Sequence, residues 1–165
     1  MPRYETFSKK LKHTDQVDFR TPKYLFNYLN ELYAIDYDAA CIEGVNNLAP
    51  ALRLEEEWPK GVVYSNPPFD IDSIVSWIKK GYLHSRSNSS NVHIMLVPNK
   101  ITQVKFQKVI HLIDKLIFLG GRVNFESIYS VKGGTSRNGS IILIQKIGES
   151  GFENKLLSEL KEENK

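Results

Sequence analysis

The folding options of this chain narrow most at Val62-Val63-Tyr64-Ser65-Asn66-Pro67-Pro68-Phe69. A short run of β-branched and aromatic residues reads as a buried strand. The two prolines must end it, because proline has no N–H to give a ladder and its ring fixes φ. Asn66 and Phe69 are therefore expected at the carboxyl end of a central strand. In open α/β sheets that end is where ligands bind.

Asn66-Pro67-Pro68-Phe69 resembles the Asn-Pro-Pro-aromatic signature of methyltransferases acting on planar exocyclic or amide nitrogens, and the chemistry this implies explains the residue types. An exocyclic amino nitrogen shares its lone pair with its ring and is a poor nucleophile. Two acceptors aimed at its N–H bonds would stabilise the positive charge that develops as it attacks. This is the preorganised electrostatics of an oxyanion hole with the sign reversed. The Asn66 side-chain oxygen and the Pro67 carbonyl are the candidate acceptors, and Pro68 holds that carbonyl still. Phe69 offers a flat apolar face to a base swung out of a duplex. No general base is needed before transfer. The plainer reading is a proline turn closing a strand, and chance alone delivers such a tetrapeptide in roughly one chain in a hundred of this length.

Around this corner the chain alternates helical and extended stretches. Thr21-Pro22 reads as a helix start, Thr21 as N-cap and Pro22 in the first turn. Leu25, Phe26, Leu29, Leu32 and Tyr33 then share one helical face. Residues 34–40 read as a strand with Asp36 and Asp38 on one side. An acid at a strand end, followed by the small Ala39 and Ala40, can meet the ammonium of a bound ligand close to the backbone. No Gly-x-Gly loop accompanies it.

Residues 41–59 are the least legible, with 48–54 either a short helix or a strand. Glu55, Glu56 and Glu57 either hold a ribose diol or form a solvated acidic turn. Asp70 or Asp72 caps a helix carrying Ile71, Ile74, Val75, Ile78 and Tyr82, which is expected to give way to a loop at 85–90. A strand follows at 92–97. Thr102 is expected to cap a further helix with Phe106, Val109, Ile110 and Ile113 inward, and 115–119 reads as the next strand. The Ser- and Gly-rich stretch 127–139 is either a DNA-contacting loop or a hairpin connection. Residues 140–147 read as a final strand, antiparallel because no helix precedes it. The tail from Phe152, with Leu156, Leu157 and Leu160, reads as one amphipathic helix. Together these predict an α/β fold, a mainly parallel central sheet with helices on both faces.

At 165 residues, one domain over 19–165 is expected, behind a flexible basic arm at 1–18 that is either a phosphate-contacting strap or a frayed terminus. The lone Cys41 rules out an internal disulfide and fits a reducing, cytoplasmic setting. No apolar run is long enough to span a membrane, and no signal peptide is visible. His13, His84, His93 and His111 lack metal-ligand spacing, so no metal is expected. The net charge of +3 is uneven: five acids outnumber three lysines from Glu149 onward, so the body is more basic than the whole. That balance is compatible with double-stranded DNA. Lys100, Arg122, Lys132 and Arg137 are the candidate DNA contacts.

In their order, these features resemble the phage-type Dam family of DNA N6-adenine methyltransferases, whose signature is Asn-Pro-Pro-aromatic. The similarity runs from about residue 19 to 145. It takes in Thr21-Pro22, Asp38-Ala39-Ala40, Asn47, Trp58 and Asn66-Pro67-Pro68-Phe69, then Trp77, Pro98, Thr102, Phe106, Gly121-Arg122 and Phe125. The resemblance implies a Rossmann-like class I methyltransferase fold, S-adenosyl-L-methionine as methyl donor and adenine in DNA as acceptor. It implies that Asn66, Pro67, Pro68 and Phe69 act on the target base. Phe19, Thr21, Pro22, Asp38, Ala39, Ala40 and Asn66 would line the cofactor. A phage or prophage use, such as evading restriction, is implied as well. No separate target-recognition domain fits in this length, so specificity is expected from loops or from a second subunit in a homodimer. The competing readings are another planar acceptor (cytosine N4, an RNA base or a protein glutamine) and a catalytically silent DNA-binding module of the same fold.

Overall fold

A computed structural model of the chain describes residues 19–40, 50–127 and 139–165. In chain order its elements begin with β1 (Phe19–Arg20), α1 (Lys23–Tyr33), β2 (Tyr37–Ala39), β3 (Ala51–Leu52) and β4 (Val62–Ser65). Next come α2 (Ile71–Ser87), β5 (Val92–Pro98), α3 (Val104–Gln107) and a 3-10 turn (Ile110–Leu112). The chain ends with β6 (Lys115–Gly120), β7 (Glu126–Ser127), β8 (Ser140–Gln145), β9 (Phe152–Leu156) and α4 (Leu157–Glu163). Seven strands form one sheet in the order β3-β2-β4-β5-β8-β6-β9, and β1 pairs separately with β7. β8 alone runs against its neighbours β5 and β6; the other pairings in the large sheet are parallel.

Every residue of β4, β5 and β8 is buried, as expected of central strands covered on both faces. Strand alternation sorts their side chains into two cores. Val62, Tyr64, Ile94, Leu96 and Ile142 pack with Leu25, Phe26 and Leu29 of α1 and with Leu157 and Leu160 of α4. Val63, Met95, Val97 and Leu143 pack with Ile74, Trp77 and Ile78 of α2 and with Phe106 of α3. The mixed α/β sheet with helices on both faces, and its antiparallel strand at 140–145, agree with the expectation from sequence.

Several local expectations need correction. Thr21 does not cap α1: Pro22 is the N-cap residue, without a side-chain bond. The Thr21 hydroxyl instead pairs with the Tyr64 hydroxyl, which would otherwise be stranded in the core. Leu32 points to solvent at 54% exposure. Asp70, rather than Asp72, caps α2, its Oδ1 accepting from the Ser73 N–H at 2.8 Å. That helix continues to Ser87, into the predicted loop, because Asp114 clasps Arg86 at 2.6 Å and Asn91 Nδ2 donates to the His84 carbonyl.

Thr102 is not the N-cap of α3, which is a single turn entered from Gln103. Of the two readings of 48–54, the strand is correct at Ala51–Leu52. The strand at 140–145 is not the last, and the tail is not one helix. Its first five residues form β9, because β6 offers a parallel ladder to Phe152–Leu156. No helix among the described residues is long and apolar enough to cross a membrane.

Candidate active site

The chain leaves β2 for β3 on one side and returns to β4 on the other, so the strand order reverses between β2 and β4. In open α/β sheets the crevice at the carboxyl ends of such a strand pair is the ligand site. The register places Asp38 beside Tyr64 and Ala39 beside Ser65. Asp38-Ala39-Ala40 and Asn66-Pro67 therefore leave the sheet side by side. Ala40, with φ of 62°, turns the chain out of the strand in the left-handed region.

Asp38 and Tyr64 share the α1 face. Asp38 is 8% exposed, and burial pushes its carboxyl up to about 7. Tyr64 is held by Thr21, which ties the start of α1 to β4. Asp36, two residues before Asp38, serves the other end of the strands: its Oδ2 accepts from the Val62 N–H at 2.9 Å.

One residue past the strand, Asn66 carries an unusual burden. Its Oδ1 and Nδ2 are both buried, and neither has a hydrogen-bond partner among the described residues. Leaving such a group unpaired costs about 1–3 kcal/mol. Pro67 and Pro68 are buried behind it, and the half-buried Phe69 ring rests on Phe125 at 5.3 Å and 56°. Four residues thus join the end of β4 to the Asp70 cap of α2. Among the described residues three further buried atoms lack partners: Arg20 Nε, Tyr24 Oη and Ser140 Oγ. Arg20 directly precedes Thr21, and Ser140 pairs in register with Pro98 at the carboxyl end of β5. Asn66 and Ser140 thus place unsatisfied polar atoms beside the carboxyl ends of β4 and β5, as found where a polar ligand completes a site.

Residues 8–160 match the family model for Dam, DNA N-6-adenine-methyltransferase. The chain belongs to the Dam family. Its general activity is therefore N6 methylation of adenine, with DNA as substrate. No curated protein matches the chain.

In this Dam-family chain Asp38-Ala39-Ala40 and Asn66-Pro67-Pro68 continue from neighbouring strands, and Thr21, just before Pro22, is tied to β4 through Tyr64. Phe19 lies in β1, its backbone paired with Ser127. Lys100 is half-buried just beyond β5, and Arg122 is exposed just beyond β6, both at the carboxyl ends of the strands. Lys132, Arg137 and Asn47 lie outside the described residues. Glu55, Glu56 and Glu57 are exposed in a turn where Glu56 accepts from the Arg53 N–H. Among the described residues no three metal-ligating side chains gather.

Sequence reasoning missed the support behind Asn66. Ser65 faces the α2 side, where its Oγ meets His93 Nε2 at 2.7 Å. His93 Nδ1 meets Gln145 Oε1 at 2.7 Å, and Gln145 Nε2 donates to the Ile78 and Leu112 carbonyls. Because the Gln145 amide nitrogen is the donor there, its oxygen accepts, and Nδ1 of His93 must carry the proton. Burial pushes His93 down to about 4, so it is neutral and its Nε2 accepts from the Ser65 hydroxyl. This fully buried chain fixes β4 one residue before the amide. A His and a Gln inside otherwise apolar strands were the signal that could have revealed it.

Proposed function

We propose that this chain transfers a methyl group from S-adenosyl-L-methionine to N6 of an adenine flipped out of double-stranded DNA, on a Rossmann-like class I methyltransferase fold. The observation that carries this reading is the Asn66 amide at the switch point of the sheet, unsatisfied among the described residues. An amide with both ends free matches an edge that presents an amino donor next to a ring-nitrogen acceptor, as adenine does. Oδ1 of Asn66 and the Pro67 carbonyl accept from the target amine. They stabilise it as it gains positive charge, and its surplus proton leaves to solvent. Phe69, braced by Phe125, provides the stacking surface.

The rim fits the cofactor. A cationic group beside Asp38 offsets the burial that raises its carboxyl, and Ala39 and Ala40 leave the backbone approachable. Thr21 and Pro22 would contribute to the same site, and the family resemblance adds Phe19. When bound, S-adenosylmethionine supplies a methyl group activated by positive sulfur. Both polar atoms of Asn66 are shielded from solvent, so a base reaches them only after neighbouring chain moves aside.

Cytosine presents a similar amino and ring-nitrogen edge, so N4 methylation of cytosine is the second reading. The test is incubation with isotopically labelled cofactor and, separately, DNA, RNA and protein, followed by mass analysis of the products. N6-methyladenine from DNA is expected. Label found only on cytosine, RNA or protein, or no transfer at all, would overturn the proposal.

A further inference from the structure

Among the described residues β9 is a long open edge of the sheet. The opposite edge strand, β3, has two residues, whereas β9 has five and carries neither proline nor bulge to blunt it. Its Phe152 and Leu156 are 72% and 51% exposed. The ladder determines which backbone groups are free. The Leu116 N–H donates to the Gly151 carbonyl at 3.1 Å, and Leu116 is in register with Phe152. In a parallel ladder successive residues turn their N–H and C=O to opposite sides. Gly151, Glu153 and Lys155 therefore face β6, while Phe152, Asn154 and Leu156 present theirs outward.

Side chains alternate between the two faces. Glu153 and Lys155 lie on the α1 face, with Glu153 3.4 Å from Lys115 and Lys155 Nζ 5.9 Å from the Tyr28 ring. Phe152 and Leu156 lie on the other face, where Phe152 meets Phe118 edge-on at 6.1 Å.

We infer that a second copy of this chain pairs antiparallel with β9 about a two-fold axis at Asn154. Outward-facing residues must oppose one another, which confines a well-overlapped pairing to axes at Glu153, Asn154 or Lys155. An axis at Glu153 sets that carboxylate against its own copy, and an axis at Lys155 does the same with two ammonium groups. Only the axis at Asn154 sets Glu153 opposite Lys155 of the second copy. On the other face it sets Phe152 opposite Leu156 of the second copy. Symmetry makes each contact twice. β9 runs in the same direction as β4, so the two Asn66 rims would open at opposite edges of a continuous sheet. The pairing does not depend on what the Asn66 site does.

A five-residue ribbon is small beside a standard interface of about 1,600 Å², so the dimer forms at micromolar or higher concentration. Sedimentation velocity of the full chain over a dilution series should show reversible monomer–dimer exchange. Glu153→Lys alone and Lys155→Glu alone oppose like charges across the axis, and each should raise the midpoint concentration about tenfold. The double exchange should restore it. Asn154→Pro removes the central outward N–H without touching the β6 ladder and should leave a monomer. Thermal melts verify that each variant is folded. A wild-type chain that stays monomeric throughout overturns the proposal. So does a folded Asn154→Pro variant that still dimerises, or a double exchange that behaves like the singles.

Discussion

Asn66 gives the sharpest residue-scale expectation, because its two proposed consequences of truncation have opposite signs. Its amide has no hydrogen-bond partner among the described residues, so Asn66→Ala takes two stranded polar atoms out of the protein. Replacing an unpaired buried polar group with an apolar one is neutral or stabilising. The melting temperature of the variant should therefore equal or exceed that of wild type. Methyl transfer should fall about a hundredfold or more, the usual consequence of losing one preorganised partner of a developing charge. A variant that melts early and transfers normally would show that the amide serves the fold. Phe69→Ala separates stacking from cofactor binding. The contact with Phe125 is lost at a modest cost of about 0.5–1.5 kcal/mol. DNA affinity should drop while affinity for the methyl donor holds, as equilibrium titrations with each ligand would reveal; equal losses would contradict a stacking role.

At the scale of elements, α2 and the buried chain behind Asn66 depend on one glycine. A Cβ at Gly81 would fall 1.8 Å from His93 Nδ1 and 2.3 Å from Gln145 Oε1. In an exposed helix, Gly→Ala stabilises by about 1 kcal/mol. Here overpacking reverses the sign. Gly81→Ala should destabilise the chain by about 1–3 kcal/mol or more, measurable as an earlier urea midpoint.

The same contrast between local and distant partners explains what could be read from the sequence. β4, the proline corner and the buried stripe of α2 were legible because their signals lie within a few consecutive residues. The Thr21 cap was misread because its hydroxyl goes to Tyr64, 43 residues away. The start of the tail was misread because β9 is made by its ladder with β6, and Glu153, Asn154 and Lys155 have little strand propensity of their own. The segments that leave β2 and β4 side by side could be picked out because each motif is contiguous. Ser65, His93 and Gln145 could not, since they sit on three strands that only the folded sheet brings together.

For the whole molecule, two buried groups set opposing responses to acid. The Asp38 carboxyl is pushed by burial from an ordinary 3.8 up to about 7. The folded chain keeps a proton there that the unfolded chain has lost. Its stabilising contribution is therefore full below about 4 and is lost as pH rises towards 7. His93 is pushed by burial from 6.5 down to about 4, so its contribution is present above about 6.5 and is lost as pH falls towards 4. His84, lowered mainly by burial, acts in the same direction as His93.

Over the shared window the two slopes oppose, and wild-type stability should vary little on their account. Asp38→Asn removes one arm and keeps the shape of the protonated acid. Melting temperatures of that variant should fall steadily from pH 7 to pH 4, more steeply than wild type. Parallel curves for the two proteins would mean that Asp38 is not held protonated by burial. The ligand should respond in the reverse sense. If a cation of the cofactor sits beside Asp38, proton and ligand compete, and wild-type affinity should weaken about tenfold for each pH unit below 7. In Asp38→Asn that dependence should vanish, with affinity below wild type at pH 7 and wild type converging on it as pH falls.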